Sequence, residues 1–269
     1  MDDVIWTEIG EQVFAKRFNP VDVTVTAVIG GDGVLVVDTR CDVAQGREIR
    51  EQLARITPLP VRWVVNTHAH WDHVWGNSAF DIPELVPPAE FWGHERCPEA
   101  VEDREGDSES PGFVARPPDR LVGVFHQLDL GDRIVELHHL GRGHTDADLA
   151  LWLPDIDVLI AGDIIEESGP PAYGSDSFPM DWPGTLEALA QLTEGDATYV
   201  PGHGAAVQHA FVSAQHEYAR AVRDQISELY HNGVPAAAAL EAGTWPHPAT
   251  EAFKQAVMRG YAQLSGELP

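Results

Sequence analysis

The chain is poor in positive charge, cysteine and long apolar runs, and each shortage excludes a class of protein. Its 269 residues hold 17 Lys and Arg against 43 Asp and Glu, a formal charge of -26. A nucleic-acid backbone or an anionic membrane is repelled by such an average field, which argues against a nuclease. Two cysteines, Cys41 and Cys97, make neither a disulfide framework nor a thiolate metal site, and both read as small buried residues. No apolar run reaches the roughly 18 residues of a membrane span, and the start Met-Asp-Asp-Val-Ile-Trp-Thr-Glu has no basic n-region. These absences give the expectation of a soluble, cytoplasmic protein whose partner is a small molecule, with no nucleic acid and no membrane. They leave its oligomeric state undetermined.

What the chain does have is histidine in one dense stretch. Residues 64–73 read Val-Val-Asn-Thr-His-Ala-His-Trp-Asp-His, directly after the apolar run that starts at Val61. The run reads as a buried strand, and buried polar groups without partners cost several kcal/mol. Imidazole and carboxylate are the ligand set of zinc, with iron or manganese close behind. If strand geometry persists, His68 and His70 project to one side, because side chains alternate with period two. Asp72 and His73 then lie past the turn and point at a second position, so the spacing suggests two metals.

Three later segments end in similar chemistry. Gly141-Arg142-Gly143-His144-Thr145, Ala161-Gly162-Asp163 and Pro201-Gly202-His203-Gly204 each follow or close an apolar stretch and flank one candidate ligand with glycine. His68, His70, Asp72, His73, His144, Asp163 and His203 then make seven candidates for two metals. His94, His126, His209, His216, His231 and His247 have no such neighbours and read as structural. For His138 and His139 surface or packing roles are expected. Thr145 and Asp148 are candidates for supporting the ligands, and Trp71, Trp75, Trp92 and Trp182 for lining a pocket.

Periodicity gives the remaining order. Strands are expected within 4–18, over 21–29 and 34–37, at 84–86, over 127–130 and 134–140, over 147–153 and 158–161, and at 198–200. Helices are expected over 42–56, from 74 to 80, and over 185–192, 205–232, 235–242 and 248–264. Residues 94–120, with Glu-Asp-Arg-Glu-Gly-Asp-Ser-Glu-Ser near the middle, read as a long mobile loop at the site. Residues 165–184 are a second candidate for a lid or specificity loop. Strands and helices fall in two similar halves, which two mixed β-sheets packed face to face between outer helices would satisfy. A single domain spanning 1–269, with the helices of 205–264 packed on it, is expected.

The order His-x-His-x-Asp-His, lone His, Gly-Asp and Gly-His resembles the metallo-β-lactamase-fold hydrolase superfamily from about residue 20 to about residue 210. The resemblance implies an α/β fold of the αβ/βα sandwich type with a dinuclear zinc site at one edge. It implies His68, His70 and His144 at the first metal, Asp72, His73 and His203 at the second, and Asp163 as the bridge. Asp38 matches the family's buried aspartate beneath the metal loop. The bridging Asp163 is similar to that of glyoxalase II, lactonases and related esterases. The expected reaction is therefore hydrolysis of an ester, lactone, thioester or amide-like bond by hydroxide held between two zinc ions, with Asp72 as catalytic proton acceptor. Lactam hydrolysis of the β-lactamase kind, and iron-dependent oxygen or sulfur chemistry on the same fold, are the alternatives.

Overall fold

The computed structural model describes residues 6–103, 114–193, 195–246 and 251–268. Its first strands are β1 (Thr7–Gly10), β2 (Val13–Phe18), β3 (Val23–Ile29) and β4 (Val34–Val37). Helix α1 (Val43–Leu53) follows, started by the Asp42 carboxylate, which accepts the Gln45 N–H at 2.8 Å. Next come β5 (Val61–Val65), the one-turn α2 (Trp71–Val74), β6 (Glu90–His94), α3 (Cys97–Asp103) and β7 (Arg120–Val122). The second half runs β8 (Phe125–Asp129), β9 (Ile134–His138), β10 (Ala150–Leu153), β11 (Val158–Glu166), α4 (Trp182–Leu192), β12 (Thr198–His203) and β13 (Val207–Gln208). Helices α5 (His209–His231), α6 (Ala236–Ala242) and α7 (Glu251–Ser265) end the chain.

Alternation along the strands builds the layers. Leu35 and Val37 of β4 join Leu151 and Leu153 of β10 and Val158 and Ile160 of β11 in one apolar cluster. The opposite face of β4, Val34 and Val36, packs with Ile49 and Leu53 of α1. Leu159 and Ala161 of β11 likewise face Leu186 of α4, Val222 and Ile226 of α5, and Val257 of α7. Two sheets thus meet across a shared core with helices outside both, the expected αβ/βα sandwich. The strand order is β7-β6-β5-β4-β3 in one half and β12-β11-β10-β9-β8 in the other. The halves are joined where His203 pairs with Val23, a single register contact between β12 and β3.

Several local expectations are corrected. Within 4–18, whose first two positions lie outside the described residues, Thr7 to Phe18 form a hairpin rather than one strand, with Gln12 at φ 59° in the turn. No strand forms at 84–86; the strand beside β5 is β6, which runs parallel to it and pairs Val65 with Trp92. Helix is interrupted after α2, and Asn77–Ala79 forms a single 3-10 turn. The segment 94–120 is not one loop: α3 packs Cys97 and Val101 beside Val74 and Ala147, and β7 extends the sheet. Its acidic middle, 104–113, lies outside the described residues. Asp163 does not close its strand. At Gly162, φ 53°, the register with β12 shifts, and β11 continues to Glu166.

Candidate metal centre

Apart from His144, which lies between the antiparallel β9 and β10, the candidate ligands come from the ends of strands that run parallel to a neighbour. β4 and β5 are parallel, and so are β11 and β12. Chains leaving such a sheet at its carboxyl edge present their loops to a common crevice. β5 leads into His68 and His70, α2 carries Asp72 and His73, the β9–β10 connection carries His144, and β12 ends on His203.

The structure brings all seven together. His68, His70, His144 and Asp163 each offer one donor atom within 4.8 Å of the others, and so do Asp72, His73 and His203. Asp163 stands between the groups. Its Oδ2 lies 3.3 Å from Nε2 of His144 and 3.5 Å from Nε2 of His203, and its Oδ1 lies 3.3 Å from Nε2 of His73. In the second group, Nε2 of His203 lies 3.3 Å from both Nε2 of His73 and Oδ2 of Asp72.

Each of the five imidazoles is held by one ring nitrogen and presents the other. His73 donates from Nδ1 to Oδ2 of Asp38 at 2.8 Å. Nδ1 of His144 donates to the Ala172 carbonyl at 3.0 Å and Nδ1 of His203 to that of Val21 at 2.8 Å. His68 meets the Thr67 hydroxyl through Nδ1 at 3.0 Å, and His70 meets Oδ2 of Asp176 through Nε2 at 2.9 Å. Such outer partners fix ring orientation and ligand basicity. Asp38, at φ 63°, also accepts from the Thr67 N–H at 2.9 Å, so one buried carboxylate fixes both the loop and its histidine. Asp148 receives the Thr145 N–H at 3.0 Å and its hydroxyl at 2.6 Å, which closes the turn after His144.

The charge states are uneven. Burial, aided by the neighbouring imidazoles, pushes His68 well below the ordinary histidine range, and burial brings His144 down to about 4. Both are neutral at pH 7, the state a metal ligand requires. Burial works against the charged form of His73 as well, but Asp163, Asp38 and Asp72 outweigh it and raise the group to about 9. Asp72 is pushed up by burial yet ends below its usual value, because His73 and His203 favour the carboxylate.

Nε2 of His68 and Oδ1 of Asp163 are buried without a hydrogen-bond partner. An unpaired buried polar atom costs about 1–3 kcal/mol, and here two of them face a cluster of lone pairs. A divalent cation satisfies both, so the donor set fits a metal of the zinc type.

The family can now be stated from comparison. Residues 18–203 match the Metallo-beta-lactamase superfamily. The chain belongs to that superfamily. Among its relatives are the metallo-beta-lactamase type 2 of Bacillus sp. (strain 170), 24% identical over 174 residues, and that of Bacillus cereus, 23% identical over 175. Each alignment covers 64% of this chain and spans 63% of the relative. A probable metallo-hydrolase, YqgX of Bacillus subtilis, is 24% identical over 157 residues, 56% of this chain and 69% of that protein. In fold, the metallo-beta-lactamase FIM-1 of Pseudomonas aeruginosa, solved in a mono-zinc form, superimposes with a TM-score of 0.66 at 22% identity, over 81% of this chain and 95% of that one. The Erythrobacter litoralis metallo-beta-lactamase gives 0.68 at 18%, over 82% and 97%. Beside that membership, the donor cluster is one that could hold a divalent metal.

The site opens into a cavity of about 470 Å³ lined by His70, Asp72, His144, Asp163 and His203 on the metal side. Glu166, Ser168, Pro170 and Tyr173 are among the residues of its remaining wall. Two of these, Glu166 and Tyr173, were not legible as site residues, nor was Asp176, which meets His70. Glu166 sits at the end of β11, accepts the Ser168 hydroxyl at 2.5 Å, and has a donor atom within 4.8 Å of Asp163 and His203. Burial, with Asp163 adding to it, raises its carboxyl to about 7. Tyr173 and Asp176 lie in the Gly/Pro-rich segment after β11, where no periodicity marks a residue. Among the described residues none of the four candidate tryptophans lines the cavity: Trp182 packs behind His144 with ring centres 5.8 Å apart, and Trp92 stacks on His126 at 4.4 Å. His139 donates from Nδ1 to the Asp148 carbonyl at 2.9 Å, a packing role, and His138 pairs with Glu136 at 3.0 Å.

Proposed function

We propose that this hydrolase cleaves an ester, lactone or thioester in a small-molecule substrate with two zinc ions. His68, His70 and His144 hold the first, Asp72, His73 and His203 the second, and Asp163 lies between them. The observation that carries the reading is the pair of buried atoms without a hydrogen bond, His68 Nε2 and Asp163 Oδ1, set between two donor groups. Zinc bound to such ligands would supply Lewis acidity, lowering the pKa of a water to about 7 and polarising a carbonyl oxygen.

The residues of the chain supply the rest. Asp38, Val21, Ala172 and Asp176 hold the imidazoles in place before any substrate arrives, so little reorganisation accompanies the reaction. Asp72, ionised and at the cavity wall, accepts the proton of the attacking water at Oδ2. The Asp163 carboxylate adds negative charge at the centre and so reduces the electrophilic help given to the scissile carbonyl. Esters and thioesters, whose leaving groups depart easily, need less of that help than a lactam nitrogen. Among the described residues the cavity wall has no Lys or Arg to receive a substrate carboxylate, and the overall charge of -26 disfavours nucleic acid.

The test is a side-by-side panel of p-nitrophenyl esters, lactones, thioesters and β-lactams on zinc-loaded protein, with metal content measured in parallel. The best ester-type substrate should exceed the best lactam in kcat/KM by about a hundredfold, equivalent to about 2.7 kcal/mol of transition-state stabilisation. A lactam faster than every ester, lactone and thioester would reverse the ranking, and one tightly held metal with full activity would sink the dinuclear assignment.

A further inference from the structure

The C-terminal helix α7 lies outside the residues that match the superfamily, 18–203, yet a chain of contacts leads from it to His70. Asp176 is the first link. Its carboxylate meets Nε2 of His70 while its side chain is 35% exposed. Burial alone therefore does not hold Asp176 in position, and the backbone that carries it contributes.

That backbone belongs to the segment between β11 and α4, which has no ladder of its own and is pinned by discrete bonds. On one side it is tied to the His144 loop. The Phe178 N–H donates to the Gly143 carbonyl at 2.8 Å, and Nε of Arg142 donates to Asp181 at 2.8 Å. On the other side it is tied to α7. Nε of Arg259 donates to the carbonyl of Ser177, the residue after Asp176, at 2.7 Å. The Gln263 side chain accepts the Met180 N–H at 3.0 Å. The guanidinium groups of Arg259 and Arg142 also lie 4.8 and 4.4 Å from the centre of the Phe178 ring, cation–π contacts that add to the anchor. Helix α7 is in turn anchored by Phe253, Ala256 and Val257 in the core shared with α4 and α5.

We infer that Arg259 and Gln263 are positioning residues for the metal centre: by holding Ser177 and Met180 they set Asp176 against His70, and so tune the affinity of the three-histidine group. An outer carboxylate on a ligand histidine affects metal affinity about 10- to 100-fold. A carboxylate on an unanchored segment pays an ordering cost for the same contact, so loosening the anchor should reproduce part of that loss of affinity.

The test is competition of the full-length chain with a zinc chelator, following the two zinc equivalents separately, with folding checked by circular dichroism. Asp176→Ala and Arg259→Ala should each weaken one equivalent about tenfold and leave the other within about twofold. Because Arg259 acts through Asp176, the double variant should be no more than about threefold weaker than Asp176→Ala alone. Arg259→Lys, which keeps a donor for the Ser177 carbonyl, should restore most of the affinity. The inference is overturned if Arg259→Ala leaves both equivalents unchanged, weakens both equally, or multiplies the effect of Asp176→Ala. Should Arg259→Ala not fold, Gln263→Ala provides the same comparison with a single hydrogen bond removed. The inference rests on the metal-holding part of the proposed function and not on the bond cleaved. A chain that bound no zinc would overturn that assignment, whereas a normal zinc titration in Arg259→Ala overturns only the role of α7.

Discussion

Nδ1 of His73 and Oδ2 of Asp38 meet at 2.8 Å with both side chains withdrawn from solvent. The carboxylate lies at the end of β4 and the imidazole on α2, 35 residues later. Asp38→Asn keeps the shape but removes the charge that orients His73 and supports its basicity. Zinc affinity should fall about 10- to 100-fold, as measured by chelator competition, and a variant that binds zinc like the parent would show that the pair is only structural.

Removing the carboxylate between the two donor groups should act unequally. Asp163→Ala leaves three imidazoles in the group of His68, His70 and His144 but only Asp72, His73 and His203 in the other. Elemental analysis after dialysis should fall from two zinc equivalents toward one. Loss of both together would mean that the groups are not separable.

Gly202 is a tighter constraint than its sequence suggests. A Cβ there would lie 1.8 Å from Oδ1 of Asp163 and 2.9 Å from its backbone nitrogen, so Gly202→Ala must displace the carboxylate. Overpacking of this kind costs about 1–3 kcal/mol. A lower denaturation midpoint together with a weakened zinc equivalent is expected, and an unchanged zinc titration would contradict this placement of Asp163.

His94 gives the fold a pH dependence away from the metal ligands. It is 2% exposed, donates from Nε2 to the Gly123 carbonyl at 3.1 Å, and stacks on His139 with ring centres 4.1 Å apart. Burial foremost, with His139 and Arg96 adding to it, lowers its pKa from 6.5 to about 4. The unfolded chain takes up the proton first, so this contribution is complete above pH 6.5 and is lost as pH falls toward 4. Its size is on the order of 2–3 kcal/mol. Urea midpoints at pH 7 and pH 4.5 should differ less in His94→Gln than in the parent chain, and equal differences would remove His94 from the account.

The candidate donors that the structure brings together were legible because their constraint is local. His68, His70, Asp72 and His73 fall within six positions after an apolar strand, and each later candidate stands beside a glycine. The sandwich was legible for a similar reason, since period-two alternation in β4, β10 and β11 names both faces. Asp176 and Glu166 were not. Asp176 reaches His70 across 106 positions through a segment without periodicity, and Glu166 enters the site because the bulge at Gly162 lets β11 run on past Asp163. A bulge is a property of the paired strands, and no single residue announces it. The charge-rich stretch that includes 97–103 misled for the opposite reason: its few apolar side chains, Cys97 and Val101, bury completely and suffice to hold α3.

The single contact between β3 and β12 also dates the site in the life of the chain. His203 forms that seam, pairing with Val23 and donating to Val21, and it is the last of the seven candidate ligands to be synthesised. At about 5–20 residues per second, the 130 positions that separate it from His73 take roughly 7–26 seconds to translate. Until then a nascent chain carries at most six of the seven candidates, and an ion captured there lacks His203. The second donor group is therefore completed only when the seam at His203 closes the fold.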